Sequence, residues 1–136
     1  MKLLLVDDDP GTLRALKLGL ISMGYEVSAV ETGVEALDML NKAGGKSGQV
    51  RLLVTDFRMP QMDGLELIRK AKQVEEDLKT ILVTGYGTER LERQAESLGV
   101  SAYLEKPFTP GCLARTIQGV LIGLDMNSEE PRTQWS

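Results

Sequence analysis

Short apolar runs alternate along the chain with amphipathic stretches, and the alternation predicts five strands and five helices. The predicted strands span residues 2–6, 26–30, 50–56, 80–84 and 101–105. Each is followed by apolar residues at the spacing of an amphipathic helix: Leu13, Leu16 and Leu20; Val34, Leu37 and Leu40; Leu65, Ile68 and Ala71; Leu91, Ala95 and Leu98; and Leu113, Ile117, Val120, Leu121 and Leu124. Several strands are apolar throughout, as in a parallel sheet that is covered on both faces. The pattern therefore predicts an α/β fold with a doubly wound parallel sheet.

Local residue types predict where the helices begin and end. Asp9 and Thr109 each precede a proline, which is typical of an N-cap followed by the first helical residue. Gly24 and Gly99 are predicted to end the first and fourth helices. The segment AGGKSGQ at 43–49 reads as a loop. Residues 1–124 are predicted to form one domain, and the polar residues 125–136 a tail or linker stub.

Composition excludes several kinds of chemistry. The 136 residues contain no histidine, so no serine or cysteine nucleophile can use an imidazole base and no histidine-containing metal site is possible. The single cysteine, Cys112, cannot form an internal disulfide. Any chemistry must therefore depend on carboxylates, hydroxyls and lysines.

Charge and hydropathy bear on nucleic-acid binding, membrane association and cellular location. The net charge is −4 and neither sign forms a block, which argues against direct nucleic-acid binding. No apolar run approaches the roughly 20 residues that span a bilayer, and the apolar start is too short for a signal peptide. We therefore expect a cytoplasmic chain with no membrane association.

Polar residues that could bind a ligand or take part in a reaction follow four of the predicted strands. Asp7 and Asp8 come after the first strand, Asp56 ends the third, Thr84 ends the fourth, and Lys106 follows the fifth. Ligands of doubly wound sheets bind outside the carboxyl ends of the strands, where the strand order reverses. In the order 2-1-3-4-5 the first and third strands are neighbours at that point, so the three carboxylates are expected to converge.

Three close carboxylates repel one another and favour a bound cation. A ligand set of oxygens alone suits Mg²⁺, which uses one or two carboxylates and keeps waters or a phosphate oxygen. A Mg²⁺ site beside a lysine suits phosphoryl transfer. Asp56 would be the nucleophile, because a carboxylate can form an aspartyl phosphate, and Thr84 could donate a hydrogen bond to the product.

Four motifs, LLLVDDD, VTDFRMPQMDG, ILVTGYG and AYLEKPF, resemble those of bacterial response-regulator receiver domains, the phosphoacceptor domains typified by chemotaxis regulators. The resemblance covers residues 2–124 and keeps the order and strand-end positions of the motifs. It implies a flavodoxin-like sheet of order 2-1-3-4-5. It also implies a switch domain in a two-component phosphorelay, which is not an enzyme beyond catalysing its own phosphorylation and dephosphorylation.

The resemblance assigns roles to the strand-end residues. Asp56 would accept the phosphoryl group from the phosphohistidine of a sensor histidine kinase. Asp8, Asp56 and the backbone carbonyl of Arg58 would bind Mg²⁺ directly, and Asp7 would act mostly through water. Lys106 would pair with a phosphoryl oxygen and precede a cis peptide bond.

The same resemblance implies an output. Thr84 would move toward the phosphate and Tyr103 would swing inward behind it. The fourth helix, fifth strand and fifth helix would then bind a downstream protein or output domain, and phosphorylation could also promote a homodimer through this face.

Two large side chains near the site bear on the lifetime of the phosphorylated state. Arg58 and Tyr86 are larger than residues that would admit an attacking water, so we expect a long-lived phosphate.

Two alternatives stay open at the level of sequence. A haloacid-dehalogenase-type phosphatase also places aspartates after its first strand, with the first, here Asp7, as nucleophile. Its pattern requires Thr or Val at position 11, where this chain has Gly11. The second alternative is a receiver-like interaction module that works without phosphorylation, although such a module would have no use for a complete acidic site.

Overall fold

A computed structural model describes residues 2–43 and 50–123 of the chain. Ten elements alternate along it: β1 (Lys2–Val6), α1 (Pro10–Ser22), β2 (Glu26–Val30), α2 (Gly33–Ala43), β3 (Val50–Asp56), α3 (Gly64–Val74), β4 (Lys79–Thr84), α4 (Glu89–Ser97), β5 (Ala102–Glu105) and α5 (Pro110–Leu121). The predicted alternation is confirmed. Within the predicted loop, Ala43 is the last residue of α2, and positions 44–49 lie outside the described residues, as do Leu124 and the predicted tail.

All five strands are parallel and lie in the order β2-β1-β3-β4-β5. This is the doubly wound, flavodoxin-like order, so the predicted fold class is confirmed. Val6 of β1 pairs with Thr55 of β3. The residues that follow them, Asp7 and Asp56, therefore emerge side by side at the carboxyl edge of the sheet.

The sheet separates two apolar cores because successive side chains of a strand point to opposite faces. Leu4, Leu53 and Leu82 pack on the face that α2, α3 and α4 cover. Leu3, Leu52 and Ile81 pack on the opposite face with α1 and α5. These side chains are completely buried, and each contributes roughly 1.5–3 kcal/mol of transfer free energy. A rigid sheet thus fixes the strand ends that carry the polar residues.

The predicted starts of α1 and α5 and the predicted ends of α1 and α4 are confirmed. Asp9 accepts a hydrogen bond from the Gly11 N–H and caps α1, and Thr109 accepts one from Cys112 and caps α5. Gly24 and Gly99 have φ of 98° and 83°, the left-handed conformation that ends a helix at little cost to glycine.

Strand boundaries differ from the predicted ones by a single residue. β4 begins at Lys79 and β5 at Ala102. Ser101 still bonds to β4 from outside the strand: its backbone N–H donates to the Thr80 carbonyl at 2.8 Å, and its side-chain oxygen accepts from the Thr80 N–H at 3.2 Å. In the described residues, no helix is long and apolar enough to cross a bilayer.

Gly64, the first residue of α3, holds this helix directly against the end of β3. Its N–H donates to the Phe57 carbonyl at 2.8 Å. A Cβ at this position would overlap the Asp56 carbonyl oxygen and press on Leu82. The close approach of α3 to Asp56 therefore requires glycine.

Replacing Gly64 with alanine should destabilise the protein by about 1–3 kcal/mol, because the backbone of Asp56 or of α3 must shift to admit the methyl group. Chemical denaturation of Gly64→Ala measures the change. Gly111→Ala is the matched control, since a Cβ there meets no atom closer than 3.7 Å and alanine favours a helix. Equal stabilities of the two variants would contradict this account of Gly64.

Candidate functional site

Three carboxylates meet at the carboxyl edge of the sheet. One oxygen from each of Asp7, Asp8 and Asp56 lies within 4.8 Å of the others. Asp7 and Asp56 are 5 % and 9 % exposed, whereas Asp8 is open to solvent. The predicted convergence is therefore present in the structure. The cluster combines two buried acids with one accessible acid.

Lys106 extends from the end of β5 into this cluster. Its Nζ lies 3.2 Å from Asp7 Oδ2 and 3.3 Å from Asp56 Oδ1. The Lys106 N–H donates to the Thr84 carbonyl at 2.8 Å, which fixes the lysine backbone against β4. The following peptide bond, to Pro107, is cis. One ammonium group thus bridges the two buried carboxylates.

The charges at the site are not balanced. Burial and the nearby charge of Asp7 raise the pKa of Asp56, and Lys106 offsets this only in part. Burial disfavours the Lys106 ammonium, but Asp56 and Asp7 outweigh burial and raise the pKa of Lys106. A single lysine faces three carboxylates, so the site retains an excess of negative charge that a cation could neutralise.

The carboxylates differ in how far they are already engaged. Asp7 Oδ1 accepts a hydrogen bond from the Asp9 N–H at 2.9 Å, and Asp7 Oδ2 pairs with Lys106. Asp8 opens instead onto a depression that the loop after β3 also lines, including Arg58 and Pro60. Asp8 therefore lies beside the loop from which a backbone carbonyl was expected to bind metal.

Thr84 is buried at the end of β4, the strand next to β3. Its Oγ1 accepts a hydrogen bond from the Tyr86 N–H at 3.1 Å, which orders the start of the β4–α4 loop. The hydroxyl hydrogen is not used in this bond. Thr84 therefore keeps a donor at the carboxyl edge of the sheet.

Arg58 and Tyr86 meet although they follow different strands. The Arg58 guanidinium carbon lies 5.0 Å from the centre of the Tyr86 ring, within the range of a cation–π contact. Tyr86 is 72 % exposed. The two side chains that were predicted to restrict water thus form one pair that links the β3–α3 and β4–α4 loops.

Tyr103 points inward from β5 and is 2 % exposed. Its hydroxyl is buried and lies against Gly87, where a Cβ would overlap it. The Glu105 carboxylate also borders Gly87. Burial, followed by the charges of Glu105 and Glu92, raises the pKa of Tyr103. Sequence reasoning missed Gly87, for which the available signal was a glycine three residues after Thr84.

Comparison with known proteins gives one consistent family. The response regulator receiver domain family matches residues 3–118. A chemotaxis protein CheY homolog from Campylobacter jejuni is 41 % identical over 124 residues, covering 89 % of this chain and 92 % of that protein. The transcriptional regulatory protein GlrR from Escherichia coli is 38 % identical over 119 residues, which cover 88 % of this chain and 26 % of that protein.

Solved structures show the same similarity. A CheY-like response regulator receiver domain protein from Methanospirillum hungatei superposes with a TM-score of 0.81 at 32 % identity, covering 90 % of this chain and 94 % of that one. The family match favours a receiver over the haloacid-dehalogenase alternative. The chain belongs to the response regulator receiver domain family.

Proposed function

We propose that this receiver accepts a phosphoryl group on Asp56 from a sensor histidine kinase, in a Mg²⁺-dependent reaction, and that phosphorylation switches a partner-binding surface. The observation that carries the proposal is the convergence of three carboxylates and one lysine at the switch point of the sheet. Residues 1–124 would form the receiver and residues 125–136 a tail or linker.

Hydrogen bonding separates Asp56, the proposed nucleophile, from Asp7. Both oxygens of Asp7 are engaged, one by the Asp9 N–H and one by Lys106. Asp56 meets Lys106 through Oδ1, which leaves Oδ2 for attack on phosphorus. Attack would form the O–P bond and break the N–P bond of a phosphohistidine, whose electron pair remains on the imidazole nitrogen. Lys106 would pair with a phosphoryl oxygen, and Thr84 would donate its hydroxyl hydrogen to another.

The acidic cluster fits a magnesium ion, since its donors are all oxygens and its negative charge exceeds that of one lysine. Asp8, Asp56 and the backbone carbonyl of Arg58 would bind the ion directly. Asp7, already engaged by two donors, would act mostly through water. When bound, Mg²⁺ supplies positive charge that offsets the charge on the transferring phosphoryl oxygens.

Output is proposed to run through Thr84 and Tyr103. Once the Thr84 hydroxyl turns to the phosphoryl group, the β4–α4 loop that it orders would shift, and this loop carries Gly87 against the Tyr103 hydroxyl. The surface formed by α4, β5 and α5 would then favour a downstream protein or output domain. Phosphorylation could also favour a homodimer through the same surface. This is a population shift between two arrangements.

Incubation with acetyl phosphate should add one phosphoryl group, measured by intact mass, only when Mg²⁺ is present. Asp56→Asn should abolish the adduct because it removes the attacking oxygen. Asp38→Asn is the matched control, an exposed acid on α2 that pairs with Lys42. An adduct that survives Asp56→Asn would contradict the assignment of Asp56, and no adduct under any condition would favour the phosphorylation-independent module.

Asp56→Asn should also stabilise the protein in Mg²⁺-free buffer at neutral pH. The pKa of Asp56 is raised in the folded state, so the carboxylate costs stability once the pH exceeds its unfolded value of 3.8. Millimolar Mg²⁺ should raise the unfolding temperature of the parent, since it binds the folded state, and leave the variant unchanged. Thermal scans with and without EDTA check both outcomes, and a parent insensitive to Mg²⁺ would contradict the metal assignment.

The Arg58→Ala, Tyr86→Ala double variant should lose its phosphoryl group faster than the parent, because removing the pair opens the loops to water. The rate is measured as loss of the phosphorylated mass after the phosphodonor is removed. Each single variant should fall between the two, because it keeps one of the two large side chains that restrict water. An unchanged rate in the double variant would rule out this role for the pair.

Gly87→Ala should drive Tyr103 outward, because the added methyl group occupies the space of the tyrosine hydroxyl. Ultraviolet titration follows the change: the raised pKa of Tyr103 should fall toward 10.0, its ordinary value. Tyr103→Phe identifies the transition, and Gly85→Ala is the control because a Cβ there meets only Lys106 Cβ, at 4.0 Å. A tyrosine titration identical in Gly87→Ala and the parent would show that Gly87 does not hold Tyr103 inward.

A further inference from the structure

A groove of about 730 Å³ runs between α3 and α4. Arginines enter it from both helices: Arg69 from α3, and Arg90 and Arg93 from α4. Leu65 and Leu98, both half-buried, give it an apolar floor. The groove thus combines three guanidinium groups with an apolar surface.

The side chains of α4 separate into stripes. Leu91 and Ala95 face the core. Arg90, Arg93, Gln94 and Ser97 line the groove, and the spacing of 90, 93, 94 and 97 is that of one helix face. Glu92 belongs to the other flank, where its charge raises the pKa of Tyr103. The helix therefore presents positive charge toward α3 and negative charge toward β5.

The two acids that line the groove are already engaged. Asp63 caps α3 by accepting a hydrogen bond from the Glu66 N–H at 2.9 Å, and Glu66 pairs with Lys70 at 3.1 Å. Arg93 pairs with Glu89 at 3.5 Å, but both side chains are exposed, and such pairs contribute little. In the part of the chain that the structure describes, neither Arg69 nor Arg90 forms an ion pair with a carboxylate within 4 Å. The positive charge of the groove is thus available to a ligand.

We propose that the α3–α4 groove binds an acidic amphipathic segment of a partner protein. Carboxylates of the segment would form charge-assisted hydrogen bonds with Arg69, Arg90 and Arg93, and guanidinium groups match carboxylates with two parallel bonds. Apolar side chains of the segment would pack on Leu65 and Leu98. Among its described lining residues the groove offers no aromatic ring for base stacking, which favours a peptide over a nucleic acid.

The groove is separate from the proposed output surface but continuous with the phosphoacceptor end of the sheet. Asp63 lines both this groove and the depression beside Asp8 and Arg58. The output surface uses the β5 flank of α4, whereas the groove uses the α3 flank. A partner in the groove would therefore leave the β5 flank open to a second protein.

The test is a titration of the ¹⁵N-labelled full chain with a capped twelve-residue peptide of glutamate, with leucine at every third or fourth position. Amide shifts should centre on Arg69, Arg90, Arg93 and Ser97, and a peptide with lysine in place of glutamate should cause none. Arg69→Gln with Arg93→Gln should weaken binding about tenfold, because each charge-assisted hydrogen bond adds to affinity. Arg14→Gln with Arg115→Gln, exposed positions on α1 and α5, should leave it unchanged.

Three results would overturn the proposal. The first is an absence of shifts at millimolar peptide. The second is equal weakening in the groove variant and the control variant, which would indicate only general electrostatic attraction. The third is tighter binding of a single-stranded oligouridine at the same amides, which would make the groove a nucleic-acid site. The test uses no phosphodonor, so its outcome does not depend on the proposed role of Asp56.

Discussion

The imbalance of charge at one edge of the sheet is the constraint on which the rest of this structure depends. Parallel pairing of β1 with β3 sets Asp7 beside Asp56, and neither can leave without disturbing a buried strand. Among the described residues, Lys106 is the cation that pairs with both of them, and the bond between its backbone N–H and the Thr84 carbonyl holds it in place. The folded state therefore contains repulsion between carboxylates that a bound cation would relieve. At Asp56, stability and the proposed function oppose each other.

Strand ends, helix caps and the convergence of the acids could all be predicted from the sequence. Each depends on short-range patterns: apolar runs place the strands, Asp9 and Thr109 begin helices, and parallel strands deliver their ends to one edge. The positions of Asp7, Asp8, Asp56 and Lys106 followed from those patterns. β5 begins one residue later than predicted, at Ala102, and the bond from the Thr80 N–H to the Ser101 side chain at that strand end is a contact that no periodicity reveals.

What the sequence could not show depends on atoms distant along the chain. Position 64 must be glycine because a side chain there would overlap the Asp56 carbonyl. Position 87 must be glycine because a side chain there would overlap the Tyr103 hydroxyl. The helical spacing of Arg90 and Arg93 can be read from the sequence, but the position of Arg69 opposite them cannot. The contact between Arg58 and Tyr86 likewise joins two loops whose separation only the folded sheet determines.

The packing of Gly64 on Asp56 has a mechanical consequence. The first residue of α3 touches the carbonyl of Asp56 without an intervening side chain, and its N–H bonds to the next carbonyl along the chain. No rotamer change can absorb a displacement there, because neither contact involves a side chain of α3. A shift of the Asp56 backbone would therefore displace the first residue of α3. The first two turns of α3, which supply Leu65, Glu66 and Arg69 to the arginine-lined groove, lie directly beside this contact. The proposed phosphoacceptor and one wall of the groove are therefore joined through backbone alone.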